Sequence, residues 1–566
     1  MDILLKTSPL RLNAPVPIPE SSQLYLHQLQ KQQYIGHART NLEHVSQLNI
    51  DKECGFVRHT TIVCTLGELW DTDEKIAAMI KIGMNILRLN LSMGTHDYYR
   101  DAIKRVRTME EASKYRPAVG IAVDISPPPV RTGLISNDTE AQVLLKDNQR
   151  IKLTIDTAKK DCTSDSLIYL DCQYFPTFIE CIAAGDLIYL DDGMLTLLVE
   201  EVDDTNIICV VKEGGFLGSW KRVDLPTECV YRKAFETSYE RDLRFAVESK
   251  VDYVFTGFTL NHKQLMHAKT ILGSSIMLFA KVETRESVAN LYDIMDVADG
   301  IIIGRNGLGL VYPIEKVFQI QKQIIAKCNI MHKPVFVISQ LLESMRFKPR
   351  ATRAEISDVA NAVIDGADGL ILTVETSRGL FPLESLCEMH KTCREAESAI
   401  FHARFCSDLK IARDIRGLSQ MDPAYLSALA AVEASYTASA SAIFVVTTTG
   451  RSASAIAAYR PSCPVVSIMR KPRVARLSHS FRGIHPFVYN GEKLSEWSMD
   501  MDARLNAAID YSKSRGFVSG GDQVVIVTGW RAGSGATNTV RIFEVPSDDK
   551  PLQIVNSQSQ LQDWDD

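Results

Sequence analysis

Eight alternations of a short apolar run with an amphipathic helix predict an α/β protein built on a closed parallel (β/α)8 TIM barrel. Two departures from that rhythm complete the fold class. Residues 126–226 carry short alternating runs between Asp-Asp, Gly-Gly and Asp-Gly turns, which predicts a small inserted all-β domain. Residues 401–546 predict a separate C-terminal α/β domain.

Each element has a local reason. Residues 1–57 are irregular, rich in Gln, Leu and His, and predict a short helical arm. The first barrel segment, 58–125, opens with a strand over 61–67. A helix over 71–82 starts on Asp and Thr capping residues and stops at Gly83. A second strand over 85–91, a helix over 96–113 and a third strand over 118–125 follow. The barrel resumes over 227–400, with strands at 253–258, 276–282, 300–305, 334–339 and 370–373, each followed by a helix. Within 401–546 a helix over 422–439 precedes strands at 442–447, 464–469 and 523–529. The tail, 547–566, is rich in Gln, Ser and Asp and predicts disorder.

Bulk properties narrow the function classes. A chain of 566 residues suggests three or four domains. With 45% hydrophobic and 23% charged residues, its composition is that of a soluble globular protein. A net charge of -6 and a pI of about 6.1 argue against nonspecific nucleic-acid binding and leave only local basic pockets. Apolar runs such as 118–123 and 301–303 fall far short of a membrane span. The N-terminus lacks the charged, apolar and small-residue succession of a secretory signal. The 12 cysteines contain no CxxC pair, which predicts reduced thiols and a cytoplasmic setting.

Barrel enzymes place their chemistry at the carboxyl ends of the strands. Here those ends read Arg88-Leu89-Asn90-Leu91-Ser92, Asp124, Lys281-Val282-Glu283, Arg305 and Ser339-Gln340. Cations, a carboxylate pair and small oxygen ligands at one mouth suit a phosphorylated anion held by Arg, Lys and a metal.

Local segments carry a more specific signal. Thr65-Leu66-Gly67, Gly83-Met84-Asn85, Arg88-Leu89-Asn90, Gly94-Thr95-His96, Arg131-Thr132-Gly133 and Asp191-Asp192-Gly193 occur in order. Leu342-Glu343-Ser344-Met345, Thr352-Arg353-Ala354-Glu355 and Gly529-Trp530-Arg531 continue the series. Over about 58–546 the chain resembles the pyruvate kinase family. That resemblance implies a barrel, a small β-barrel lid and a C-terminal effector domain, assembled as a homotetramer or as a heterotetramer with a paralogue. It implies transfer of the phosphoryl group of phosphoenolpyruvate to ADP, giving pyruvate and ATP in glycolysis, with Mg2+ (or Mn2+) and K+ as cofactors.

The resemblance also assigns residues. Lys281 matches the lysine that neutralises the phosphoryl group in transit. Arg88, Arg131 and the lid lysine Lys221 match phosphate and nucleotide contacts, and planar guanidinium forks suit that task. Glu283 matches one of two carboxylates on the divalent metal. Asn90, Ser92, Asp124 and the Ile125 carbonyl match the potassium site. Ser339 replaces a threonine on the enolate proton path and keeps its hydroxyl. In the C-terminal domain, Thr447-Thr448-Thr449-Gly450-Arg451-Ser452, with Trp497 and Arg504, match a sugar bisphosphate effector pocket at a helix start.

Departures cluster around the same pocket. The 300–309 segment reads as a buried strand running into a catalytic loop, where the family has Arg-Gly-Asp-Leu-Gly. Here the order is Arg305-Asn306-Gly307-Leu308-Gly309, so Gly307 stands where the second metal carboxylate belongs. Asn306 replaces a glycine in the segment whose backbone amides grip the substrate carboxylate. The lid hinge reads Ser126-Pro127-Pro128-Pro129, which predicts a stiffer connection and slower lid closure. Glu68 stands in place of a nucleotide-contacting proline, and Trp220 in place of a second lid lysine. Two readings stand open: a pyruvate kinase of reduced activity, and a noncatalytic relative that binds metabolites or serves as a regulatory or structural subunit.

Overall fold

Near-continuous apolar runs make the barrel strands, as a sheet covered on both faces requires. They are β1 (Thr61–Thr65), β2 (Ile86–Asn90), β3 (Gly120–Ile125), β4 (Tyr253–Thr256), β5 (Met277–Val282), β6 (Gly300–Gly304), β7 (Val335–Ile338) and β8 (Gly369–Leu372). They pair in parallel, in chain order, and β8 closes onto β1. The computed structural model describes residues 38–551, apart from 52, 114–117, 126–129, 137, 139–140, 172–181, 192, 226–228, 258, 416–421, 531–534, 536 and 548–550. The predicted arm before residue 38, the triple-proline hinge and the tail after 551 lie outside the described residues.

Bulky rings fill the barrel interior. Phe255, Phe279 and Phe336 are fully buried, with Phe279 and Phe336 centroids 5.0 Å apart. Gly300 makes room for them, because a Cβ there would lie 2.4 Å from the Phe279 ring. Alternation along a strand then fixes what points into the mouth above this plug. Phe279 faces inward, so Lys281 and Glu283 follow on the same side. Along β2 the same rule aligns Ile86, Arg88 and Asn90.

The inserted region is a second closed barrel of seven strands, from Val130–Thr132 through Arg222–Asp224, with a separate two-stranded sheet of Gln142–Leu145 and Gly215–Gly218. Its core is its own, centred on Ile151, Ile188, Leu197 and Val211. The C-terminal sheet has five strands in the order Ile484–Val488, Val465–Met469, Ala442–Val446, Gln523–Gly529 and Thr537–Glu544. Sequence reasoning found only the middle three. The first edge strand contains Pro486, which a sheet tolerates at its edge and which weakens any strand signal.

One further expectation is corrected. The strand at 300–305 ends at Gly304, and Arg305–Val311 is a short helix rather than a loop. The chain turns helical at once because Arg305 is buried and anchored. Its guanidinium donates to the carbonyls of Ser339 (2.7 Å) and Gln340 (2.7 Å) and pairs with Asp358 at 2.7 Å.

Candidate active site at the barrel mouth

A cleft of about 610 Å³ opens between the carboxyl ends of the barrel strands and the inserted β domain. From the barrel it is lined by Arg88, Asn90, Ser92, Lys281, Glu283 and Ser339, and from the lid by Arg131, Trp220 and Lys221. Asn306 and Gly307 close its floor. Residues far apart in sequence thus meet where strand-end logic placed them.

The charged centre is a buried triad. Asp124 is 0% exposed, and its two oxygens face two cations. Arg88 donates from Nε at 2.6 Å, and the Lys281 ammonium sits 2.5 Å from the other oxygen. Thr65 accepts a further bond from Arg88 at 2.8 Å and donates to the Leu372 carbonyl at 2.7 Å. Burial pushes the Asp124 carboxyl up, but the charges of Arg88 and Lys281 outweigh it and hold the acid below its usual range. Asp124 therefore remains an anion that clamps two cations at the cleft floor. Two cations on one carboxylate leave a net positive site, which suits an anionic substrate.

The neighbouring oxygens have partners too. Asn90 Oδ1 accepts from the Ser92 N–H at 3.2 Å, a turn contact. The Ile125 carbonyl accepts the Gly257 N–H at 2.8 Å. All four groups assigned to K+ are oxygen donors at the end of two adjacent strands, the chemistry an alkali cation takes.

The divalent site is sparser. Among the described residues no group of three His, Cys, Asp or Glu could hold a metal ion. Glu283 is the carboxylate of the cleft floor beside Gly304 and Gly307. The Asn306 Oδ1 oxygen is buried and has no hydrogen-bond partner among the described residues. These donors are hard oxygens, so they fit Mg2+ or Mn2+ provided substrate oxygens and water complete the shell.

Ser339 sits in a forced conformation. It and Gln340 have φ of 79° and 53°, both in the left-handed region unfavourable to side chains. Arg305 donates to the Ser339 carbonyl, and Ser339 lines the cleft. On the lid, Arg131 donates to the Trp220 carbonyl at 3.0 Å, and Lys221 pairs with Asp191 at 2.9 Å.

Arg305 itself is absorbed by that turn and by Asp358. Its strand-end position marked it as a substrate cation, but its contacts are those of a brace. Other cleft residues went unread in the sequence. Arg346, Phe347, Thr373, Ser377 and Arg378 line it as well. The last three follow β8, whose end carries Thr373-Val374-Glu375-Thr376-Ser377-Arg378, a polar run that applying the strand-end rule to every strand would have flagged.

Thr447 is buried, while Thr448 and Thr449 are exposed before a helix that begins at Arg451 with Gly450 as its left-handed cap. Arg451 pairs with Asp422, Ser452 Oγ lies 2.8 Å from the Thr537 hydroxyl, and Arg504 pairs with Asp500. The Trp497 indole N–H is buried without an acceptor among the described residues. Residues 531–534 and 536, between strands Gln523–Gly529 and Thr537–Glu544, lie outside the described residues.

Barrel, lid and cationic cleft define a phosphate-handling enzyme class, in which charge and positioning carry the chemistry. Residues 57–386 match the family model for the pyruvate kinase barrel domain, and 427–543 that for the pyruvate kinase alpha/beta domain. Pyruvate kinase PKLR of Homo sapiens is 39% identical, over 90% of this chain and 88% of that protein. Pyruvate kinase of Candida albicans and pyruvate kinase 1 of Saccharomyces cerevisiae are each 35% identical, over 90% and 89% of this chain and 100% of each relative. The chain belongs to the pyruvate kinase family. Among the described residues no helix is long and apolar enough to cross a membrane.

Proposed function

We propose that this chain transfers the phosphoryl group of phosphoenolpyruvate to ADP, at a rate well below that of its relatives. The observation that carries the activity is the buried Arg88–Asp124–Lys281 triad at a cleft lined by both the barrel and the inserted β domain. In this reading Arg88 and Lys281 hold the phosphoryl oxygens while the bond to the enolate oxygen breaks and one to the terminal ADP oxygen forms. Arg131 and Lys221 bring lid charge to the nucleotide phosphates. Ser339 delivers a proton to the methylene carbon of the enolate. Glu283, completed by substrate oxygens and water, would hold Mg2+ or Mn2+, and Asn90, Ser92, Asp124 and Ile125 would hold K+. The divalent ion, when bound, supplies charge to the phosphoryl and enolate oxygens.

The reduced rate rests on Gly307. A site with one carboxylate in place of two carries one less negative charge and binds a hard divalent ion more weakly. A coupled assay of purified protein with Mg2+ or Mn2+ tests this, with Lys281→Met as control. We expect slow turnover that Lys281→Met abolishes. Rates typical of the relatives would refute attenuation, and no turnover under any metal would favour the noncatalytic reading. The assembly we propose is a tetramer of this chain or with a paralogue, checked by sedimentation and co-purification. The Trp497 indole N–H, which has no acceptor among the described residues, supports an anionic effector beside Arg504, with Thr447–Ser452 as its second wall, to be checked by calorimetry with a sugar bisphosphate.

A further inference from the structure

The inserted domain brings one large ring to the cleft. Trp220 is 40% exposed and lines the cleft beside Lys221 and Arg131, the two cations assigned above to nucleotide phosphates. Its backbone lies in the left-handed region, at φ 57°, which a bulky residue adopts only where its surroundings enforce it. Here they do. Trp220 sits in the tight connection between strands Gly215–Gly218 and Arg222–Asp224. Its N–H donates to the Gly133 carbonyl at 3.3 Å, and its carbonyl accepts from the Arg131 guanidinium at 3.0 Å. One residue on, the Lys221 N–H donates to the Thr132 hydroxyl at 2.9 Å, and the Lys221 carbonyl accepts the Thr132 N–H at 2.8 Å. Both backbone polar groups of Trp220 are thus engaged, and what it offers the cleft is its indole. The Lys160 ammonium lies over that ring, 5.6 Å from the centroid. Burying an aromatic ring is among the largest gains a side chain can make, so an indole fixed half-open at a ligand cleft is placed to cover a flat partner. The sequence has this ring where the family has a lid lysine, so a charge for polyphosphate has been exchanged for a stacking face.

We propose that Trp220 stacks on the base of the nucleotide and makes this chain select purine over pyrimidine nucleoside diphosphates. The inference rests on the proposed use of ADP and specifies how the base is held. An uncharged ring adds nothing to the grip on phosphate, which stays with Arg131 and Lys221. Every base has a π-face, and purines present the larger one, so stacking strength sets the order of preference. Phe347 is the other aromatic residue lining the cleft, 66% exposed, but the Arg346 guanidinium lies over its ring at 4.7 Å. It serves as the control.

The test is calorimetric titration of the full-length protein with ADP, CDP and inorganic pyrophosphate, each with Mg2+. Circular dichroism accompanies each variant to show that it is folded. The parent should bind ADP at least about fivefold more tightly than CDP, and Trp220→Leu should weaken ADP by at least about fivefold, the low end of base–aromatic stacking. Trp220→Leu should also bring the ratio of ADP to CDP affinity toward one and leave pyrophosphate unchanged. Trp220→Phe should keep most of the affinity for ADP, and Phe347→Leu should keep both the affinity and the preference. A parent that binds no ADP would overturn the nucleotide reading, and this inference with it. A parent that binds ADP and CDP equally, or ADP binding that Trp220→Leu leaves intact, would overturn the stacking role alone. Equal loss of ADP and pyrophosphate in Trp220→Leu would do the same, because the residue would then hold the turn that carries Lys221 and not the base.

Discussion

Asp124 anchors two cations, Arg88 and Lys281, that line the cleft. Its carboxylate is fully buried and serves two cations at once. Removing one member of a buried ionic cluster leaves the others desolvated and unpaired, which costs far more than the cluster contributes on balance. We therefore expect Asp124→Asn to lower stability by about 3–5 kcal/mol, read as a urea midpoint shift, and to abolish turnover. An unchanged midpoint would mean that Arg88 and Lys281 find other partners. Because the folded acid titrates below its usual value of 3.8, its stabilisation is complete above that pH. It is lost as pH falls through the lower folded value. Lys281→Met addresses the chemistry instead. Losing a preorganised charge at the transferring group should cut kcat by about 10²–10³ or more. Strand-end position and residue type marked Lys281 as a cation of the mouth, and the family resemblance supplied its role in phosphoryl transfer. That Asp124 would bind both cations was not legible, because the pairing joins β2, β3 and β5, and only barrel closure brings them together.

At the scale of elements, the turn after β7 is held by force. Ser339 and Gln340 keep left-handed backbone only because the Arg305 guanidinium holds both carbonyls. Arg305→Met removes those bonds and the pair with Asp358, and should relax the turn. The expected outcome is a stability loss of about 2–4 kcal/mol from the unmet carbonyls and carboxylate, with kcat falling more than KM changes. A variant with normal kcat would show that Ser339 is placed without this brace. The plug below the mouth is equally unforgiving. Gly300→Ala puts a methyl against the Phe279 ring and should destabilise by about 1–3 kcal/mol, measurable by thermal melting. The sequence showed Gly300 only as the start of an apolar run. Its packing role is set by a ring on the neighbouring strand.

Across the whole molecule, the seam between the barrel and the C-terminal domain is a buried polar network. Arg460 pairs with Asp368 at 2.5 Å, Arg476 with Asp252 at 2.9 Å, and the Arg482 guanidinium donates to the Val363 carbonyl at 2.7 Å. Histidines line the same seam. Burial, with nearby Arg413, depresses His332 from 6.5 to about 4, and burial takes His479 to about 4. The unfolded chain protonates these rings near 6.5 while the folded one resists. Their contribution is therefore complete above that pH and is lost as pH falls toward 4. Each unit of depression corresponds to about 1.4 kcal/mol. Urea unfolding at pH 7.5 and pH 5 should show lower stability at the acid value, and equal midpoints would sink the account. Domain order was legible in the sequence, through the break in βα rhythm at 126–226 and its return. This seam was not, because Asp368 and Arg460 are paired only by docking.

Periodicity and strand-end chemistry, read from the chain alone, determined the barrel, its insertion and the cationic mouth, and the resemblance to the pyruvate kinase family marked the absence of an aspartate at 307. Those features are local, set by residue type and spacing along single elements. Tertiary structure decided what the absence means. Whether position 307 has room for a side chain depends on how closely helix Arg305–Val311 lies against β5. Whether the Asn306 oxygen is satisfied depends on every surface around it. Both are distances between segments far apart in sequence, and only packing sets them.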